Sequence, residues 1–189
     1  MDELNKLKNE CLECHKCSLG DTRNNVVFGV GNPKAILMFI GEGPGEQEDL
    51  SGIPFVGKAG QLFDKMIKAI ELTRDDVYIA NIVKCRPPRN RNPQNDEAMA
   101  CIPYLYKQIE LINPDIIVCL GKVAATYLIH SDYKITKERG RWKVIDKRRY
   151  IMAIYHPSFL LRDPSRKAEA WIDLKEIKKA YKYFDEKKK

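Results

Sequence analysis

Cys14 and Cys17 form a C-x2-C pair near the start of the chain, and Cys85 and Cys101 follow with fifteen residues between them. Four thiolates gathered from one short pair and two distant positions satisfy either an iron–sulfur cluster or a zinc ion. Zinc ribbons usually present two tight pairs, so the wide second gap favours a 4Fe-4S cluster on Cys14, Cys17, Cys85 and Cys101. Cys119 sits in the apolar run Asp115 to Gly121 and reads as a small buried hydrophobe. Cys11, Cys14 and Cys17 are evenly spaced like the start of a bacterial ferredoxin run, but the fourth cysteine and the proline of that run are absent. Three disulfides are the other use of six cysteines. A chain of 189 residues has core enough without them and shows no secretory signal, so a reducing cytoplasm is expected.

The elements that must bring these cysteines together alternate in type. Ala35 to Ile40, Val77 to Asn81, Ile116 to Leu120 and Tyr150 to Tyr155 are short apolar runs with strand character. Between the first two, Leu62, Met66, Ile67 and Ile70 recur at helical spacing, and Gln94 to Leu111 and Lys122 to Ile129 supply two more helices. A last helix is expected over about Ser165 to Phe184, with Trp171, Leu174, Ile177 and Tyr181 on its apolar stripe; residues 185–189 read as a frayed basic tail. Strand, helix, strand in repetition predicts an α/β domain spanning 1–189, with a mostly parallel sheet covered on both faces. No apolar run is long enough to cross a membrane, and no internal repeat is present. The balance of 33 basic to 26 acidic residues gives a net charge of +7, which suits a polyanionic partner.

In such a sheet the ligand crevice lies beyond the carboxyl ends of the strands. The four runs lead into Gly41-Glu-Gly-Pro-Gly-Glu46, Asn81-Ile-Val-Lys-Cys-Arg-Pro-Pro88, Gly121 and His156-Pro-Ser-Phe-Leu-Leu-Arg162, so those segments converge. Glu46 stands where a dinucleotide fingerprint needs its third glycine, and no Gly-Lys-Ser/Thr follows to make a P-loop. Glycines in that turn still let backbone amides approach a ligand and hold Glu42 at the crevice mouth.

These segments carry a specific resemblance. Cys14-x2-Cys17, Gly41 to Gly45, Pro54-Phe-Val-Gly-Lys-Ala-Gly-Gln61, Asn81 to Pro88, Cys101 and His156-Pro-Ser158 with its sequel to Arg162 resemble, in order and over nearly the whole chain, the iron–sulfur family 4 uracil-DNA glycosylases of prokaryotes. The resemblance implies a three-layer α/β/α fold around a four-stranded, mostly parallel sheet, a 4Fe-4S cluster, and hydrolysis of deoxyuridine in DNA to uracil and an abasic site, as in base excision repair.

Residue by residue, the resemblance implies Phe55 as a stacking platform for a flipped base, Asn81 as reader of the uracil O4 and N3 edge, and Gly41 and Gly43 in the uracil pocket. His156 would stabilise the departing uracil anion near O2, and Glu42 would position or activate water at the sugar C1′. Lys58, Arg86, Ser158 and Arg162 are expected at phosphates, and Leu160 or Leu161 as an apolar wedge. Glu48 and Asp49 read as solvated or helix-capping and stand outside the catalytic set. The expected partner is uracil-containing DNA, single- or double-stranded. A monomer associated with the nucleoid is expected, with a polymerase clamp as a candidate contact for which no peptide motif is legible. Two rivals remain: a non-catalytic module for single-stranded nucleic acid, and an electron-transfer or redox-sensing protein. Neither calls for Glu42, Phe55, Asn81 and His156 together.

Overall fold

The protein was studied as a computed structural model that describes residues 2–146 and 148–188. An N-terminal arm, α1 (Asp2–Leu12) and α2 (Leu19–Thr22), leads to the edge strand β1 (Val30–Gly31) and then β2 (Leu37–Gly41). After α3 (Glu46–Ser51) and α4 (Lys58–Ala69) come β3 (Val77–Asn81), α5 (Asn95–Ile112), β4 (Ile116–Leu120) and α6 (Lys122–Leu128). The chain closes with α7 (Ile135–Glu138), β5 (Lys143–Ile145), β6 (Arg149–Ile154), α8 (Pro157–Arg162) and α9 (Lys167–Lys188). Among the described residues the strands form one sheet in the order β1-β3-β2-β4-β6-β5.

The four strands legible in the sequence are the parallel centre, β3-β2-β4-β6. The sheet is nonetheless wider than the four strands expected, because β1 pairs antiparallel with β3 and β5 antiparallel with β6. Each addition is two or three residues long and caps an open edge, which limits the unpaired backbone offered to other chains.

Strand periodicity divides the core in two. Met38, Ile40, Tyr78, Ala80, Ile117, Cys119, Ile151 and Ala153 face one way, against Leu7 and Cys11 of α1, the buried stripe of α5, and Ala124 and Ala125 of α6. Leu37, Phe39, Val77, Ile79, Val118, Met152 and Ile154 face the other, against Phe63, Met66 and Ile67 of α4, Leu160 of α8, and Ala170, Leu174 and Ile177 of α9. Each fully buried aliphatic side chain contributes about 1.5–3 kcal/mol, so the two-sided packing is what fixes the sheet.

The stripe of α9 starts one residue earlier than expected. Positions 170, 174, 177 and 181 fall on one side of a helix with 3.6 residues per turn, so Ala170 packs inward and Trp171 is 44% exposed. The helix also continues through Lys188, whose ammonium lies 2.7 Å from Asp115, so the segment expected to fray is helical as far as it is described; Lys189 lies outside the described residues. Among the described residues no helix is long and apolar enough to cross a membrane.

Candidate active site

β2 connects to β3 on one side of the sheet, and the chain then returns to place β4 on the other side of β2. That reversal opens a crevice at the carboxyl ends of the strands. A cavity of about 350 Å³ occupies it, with Glu42, Gly43, Phe55, Asn81, Arg91, His156, Ser158 and Arg162 in its wall. A second lobe, lined by Lys122, Thr136, Tyr155 and Phe159, shares Glu42, His156 and Arg162 with the first.

Parallel register places Gly41 directly opposite Asn81. A Cβ on Gly41 would overlap Asn81 Oδ1 and come within 2.7 Å of Phe55 Cζ, so only glycine lets the asparagine and the ring close over the strand end. Asn81 is 2% exposed, and its Oδ1 has no hydrogen-bond partner among the described residues. A buried acceptor left unmade costs about 1–3 kcal/mol, and here it borders a cavity.

Phe55 has φ +56°, a left-handed conformation uncommon for an aromatic residue. Its neighbours hold it there: Arg74 donates to the Pro54 carbonyl at 2.9 Å and to the Phe55 carbonyl, while Gly60 packs against that carbonyl with no space for a Cβ. The ring packs 5.2 Å from Phe63 and 5.7 Å from the His156 imidazole, tilted 33° to the latter.

His156 caps α8. The Ser158 backbone N–H donates to Nδ1 at 3.1 Å, and the Ser158 hydroxyl lies 2.7 Å from the same nitrogen. An Nδ1 that accepts from a backbone donor leaves the hydrogen on Nε2. Burial, with a smaller push from Arg162, lowers the imidazole to about 4. Burial likewise raises Glu42 to about 7, against the opposing pull of Arg162. A neutral imidazole, a carboxyl that ionises near neutrality and one shared arginine therefore face a common cavity.

Glu48 caps α3, one of the two readings its position allowed, and also reaches beyond the helix. One carboxylate oxygen accepts from the Val56 and Gly57 amides at 2.9 and 2.8 Å, and the other from the Gly45 amide at 3.1 Å. It joins the glycine turn bearing Glu42 to the loop bearing Phe55. The Gly45-x-x-Glu48 spacing was its sole sequence signal, that of a capping box. Glu48→Ala should cost about 1–3 kcal/mol by orphaning these amides, read as a lowered urea midpoint with unchanged slope. Asp49 is equally structural: 1% exposed, it accepts from the Asn24 and Asn25 amides at 2.9 and 3.3 Å.

The expected DNA-facing residues are placed unevenly. Ser158 and Arg162 line the cavity, but Ser158 is engaged with His156. Arg86 lies outside both lobes, donating to Asn90 at 2.8 Å and lying 3.7 Å from Glu46; Arg91, held by the buried Glu97 at 2.6 Å, stands in the wall. Lys58 is exposed at the start of α4, outside both lobes. Of the two wedge candidates, Leu160 is corrected: it is 1% exposed and anchored in the core, whereas Leu161 is 43% exposed.

Cys14, Cys17, Cys85 and Cys101 surround one small pocket, joined by Cys11, Lys84, Arg23 and Tyr104. Cys119 is not in its wall. The Lys84 amide donates to Cys101 Sγ at 3.2 Å, and Arg23 donates to Cys85 Sγ at 3.5 Å. Among the described residues, no three Cys, His, Asp or Glu side chains converge closely enough to ligate a single ion.

A doubly wound α/β sheet with a crevice at its switch point, walled by an aromatic ring, a buried amide, a carboxyl and an imidazole, places the chain among α/β proteins whose ligand site lies at the strand ends. Residues 28–175 match the Uracil DNA glycosylase superfamily, and the chain belongs to it. It is 47% identical over 186 residues to a Type-4 uracil-DNA glycosylase of Sulfurisphaera tokodaii, covering 94% of this chain and 84% of that one. Type-4 uracil-DNA glycosylases of Archaeoglobus fulgidus and Thermotoga maritima are each 44% identical, over 94% and 95% of this chain and 92% and 94% of theirs.

Proposed function

We propose that the crevice receives a uracil flipped out of DNA and that the chain hydrolyses its N-glycosidic bond, leaving an abasic site for base excision repair. One observation carries the specificity: the buried, unpartnered Oδ1 of Asn81 beside the Phe55 ring. Uracil offers N3–H to that acceptor and O4 to the amide donors. Cytosine offers a bare ring nitrogen and an amine, so it would leave the same groups unmatched.

As the C1′–N1 bond breaks, its electron pair leaves with uracil and positive charge grows on the sugar. The neutral imidazole donates its Nε2–H to the developing O2 anion, while Glu42 as carboxylate offsets the sugar cation and takes the proton of the water that attacks C1′. Ser158 fixes the tautomer that makes this donation available. Arg162 and Arg91 face the phosphates, and the exposed Leu161 fills the gap in the stack. The +7 chain needs no base contact outside the pocket to bind DNA.

The cysteine pocket fits a 4Fe-4S cluster. Cys14, Cys17, Cys85 and Cys101 all stand in its wall, a four-thiolate set that would give each iron of the cluster one protein ligand. Such a group would tie the arm, the loop after β3 and α5 into one unit. The bound charge would also be met by hydrogen bonds from Lys84 N and Arg23.

Incubation with a uracil-containing oligonucleotide should yield abasic sites, and strands lacking uracil should remain intact; equal or absent cleavage of both defeats the reading. The pH profile has a defined sign. Burial disfavours the charged form of a carboxyl, so Glu42 becomes carboxylate as pH rises through about 7, while His156 stays neutral until pH falls towards about 4. Single-turnover excision should therefore climb between about pH 6 and 8 and level off above. Glu42→Gln should flatten the climb.

A further inference from the structure

Lys84 is 1% exposed, and among the described residues no carboxylate pairs with it. Its Nζ donates to the Asn81 carbonyl at 2.9 Å and to Gln108 Oε1 at 2.6 Å. Gln108 is itself locked, donating to the Phe28 carbonyl at 2.9 Å and to the Tyr78 hydroxyl at 3.3 Å. The head of Lys84 thus grips the residue that ends β3 inside the base crevice.

The same residue forms part of the wall of the cysteine pocket. Its backbone amide reaches Cys101 Sγ at 3.2 Å, and Cys85 follows it directly in the chain. A buried cation without an anion costs several kcal/mol even after relaxation. Two neutral carbonyl oxygens engage two of its three hydrogens and leave its charge without a counter-ion. Four thiolates around an iron–sulfur core carry net negative charge, and Lys84 shares the wall of their pocket.

We propose that Lys84 is the internal counter-cation of the cysteine-held cluster and, through its bond to the Asn81 carbonyl, a positioning residue that makes the placement of the base-reading amide depend on that cluster. This rests on the cluster assignment made above. It gives the cluster a specific connection to base choice: not electron transfer, but a charge that keeps a buried lysine in place, with the lysine keeping β3 in register with Gly41. The connection runs through one side chain, so its two duties can be separated by substitution.

Lys84→Met keeps much of the stem and removes donor and charge together. Lys84→Gln retains a neutral donor. Wild-type, Met and Gln proteins, purified anaerobically, would be compared for iron content, for iron release to a chelator followed at visible wavelengths, and for single-turnover excision of uracil against other bases. Lys84→Met should release iron about tenfold faster, excise uracil about tenfold more slowly with little change in DNA affinity, and discriminate less sharply among bases. Lys84→Gln should recover much of the excision rate and discrimination while still releasing iron fast.

That split is the signature of a charge duty and a positioning duty on one side chain, which loss of packing alone would not produce. Wild-type protein without iron would overturn the cluster assignment and this inference with it. Iron-loaded wild type with unaltered release in both variants, or parallel loss of iron and rate in both with no rescue by glutamine, would overturn this inference while leaving the cluster standing.

Discussion

His156→Ala should slow single-turnover excision of uracil about 10²–10³-fold, the loss expected when one preorganised donor to a developing anion is removed. Ground-state affinity for an uncleavable uracil analogue should change little, because the oxygen becomes strongly basic only as the bond breaks. The structure gives the imidazole three attributes this role demands. It is neutral, since its pKa is lowered to about 4; it carries its hydrogen on Nε2, since Ser158 N–H donates to Nδ1 at 3.1 Å; and it is fixed by contact with Phe55 at 5.7 Å.

Glu42→Gln should be slowed less. The bond can break dissociatively, and an amide can still hold water. The double variant should be slower than either single one, because the two side chains act on opposite fragments of the breaking bond. Single-turnover rates alongside binding of the analogue decide the matter. A double variant at the wild-type rate, or equal loss of rate and affinity in both single variants, would remove the pair from the chemistry and leave a binding pocket.

The parts of this site that the sequence made visible are those where several residues in a row share one environment. β2, β3, β4 and β6 are buried on both faces, so each reads as an unbroken apolar run, and the segments leaving their carboxyl ends had to share a single edge. Glu42, Asn81 and His156 could be placed there without coordinates. β1 and β5 could not: a run of two or three residues, partly exposed, carries no period, and its pairing is decided by the strand beside it.

Polar partnerships across the fold were hidden for a related reason. Glu48 accepts from Val56 and Gly57, eight and nine residues on, and Lys84 reaches Gln108 twenty-four residues away on α5. Neither spacing is helical or strand-like, so no local pattern shows that these two side chains tie distant segments together. The two leucines after His156 are adjacent in sequence and chemically identical. Only the rotation of about 100° per residue in a helix, applied to α8, sends Leu160 into the core and leaves Leu161 outside.

Cys85→Ser should reduce bound iron from about four atoms per chain, the content of one cluster, to near none, and Cys17→Ser should do the same. Both should destabilise the fold beyond the ordinary range for a point substitution. Loss of a metal site belongs to the class exceeding about 4 kcal/mol. At about 2–4 °C per kcal/mol for a chain of this size, Tm should fall by roughly 10 °C.

The damage should begin at the N-terminus. α1 and α2 hold to the body through Leu7, Cys11 and Leu19 in the core, through Ser18 at Glu97 and Arg23 at Cys85 Sγ, and through the cysteine pocket, so limited proteolysis should cut first between residues 2 and 23. Cys119→Ala serves as the control. Its sulfur is fully buried between β4 and the α5–α6 layer, away from the pocket, so that variant should keep its iron.

Cys11 is the more searching case, because it is buried in the same wall as the four proposed ligands. Cys11→Ser should also keep its iron, since the C-x2-C pair already supplies the arm's two thiolates. Iron retained in Cys17→Ser but lost in Cys11→Ser would exchange those two ligands. Stoichiometric zinc in colourless wild-type protein would replace the cluster altogether.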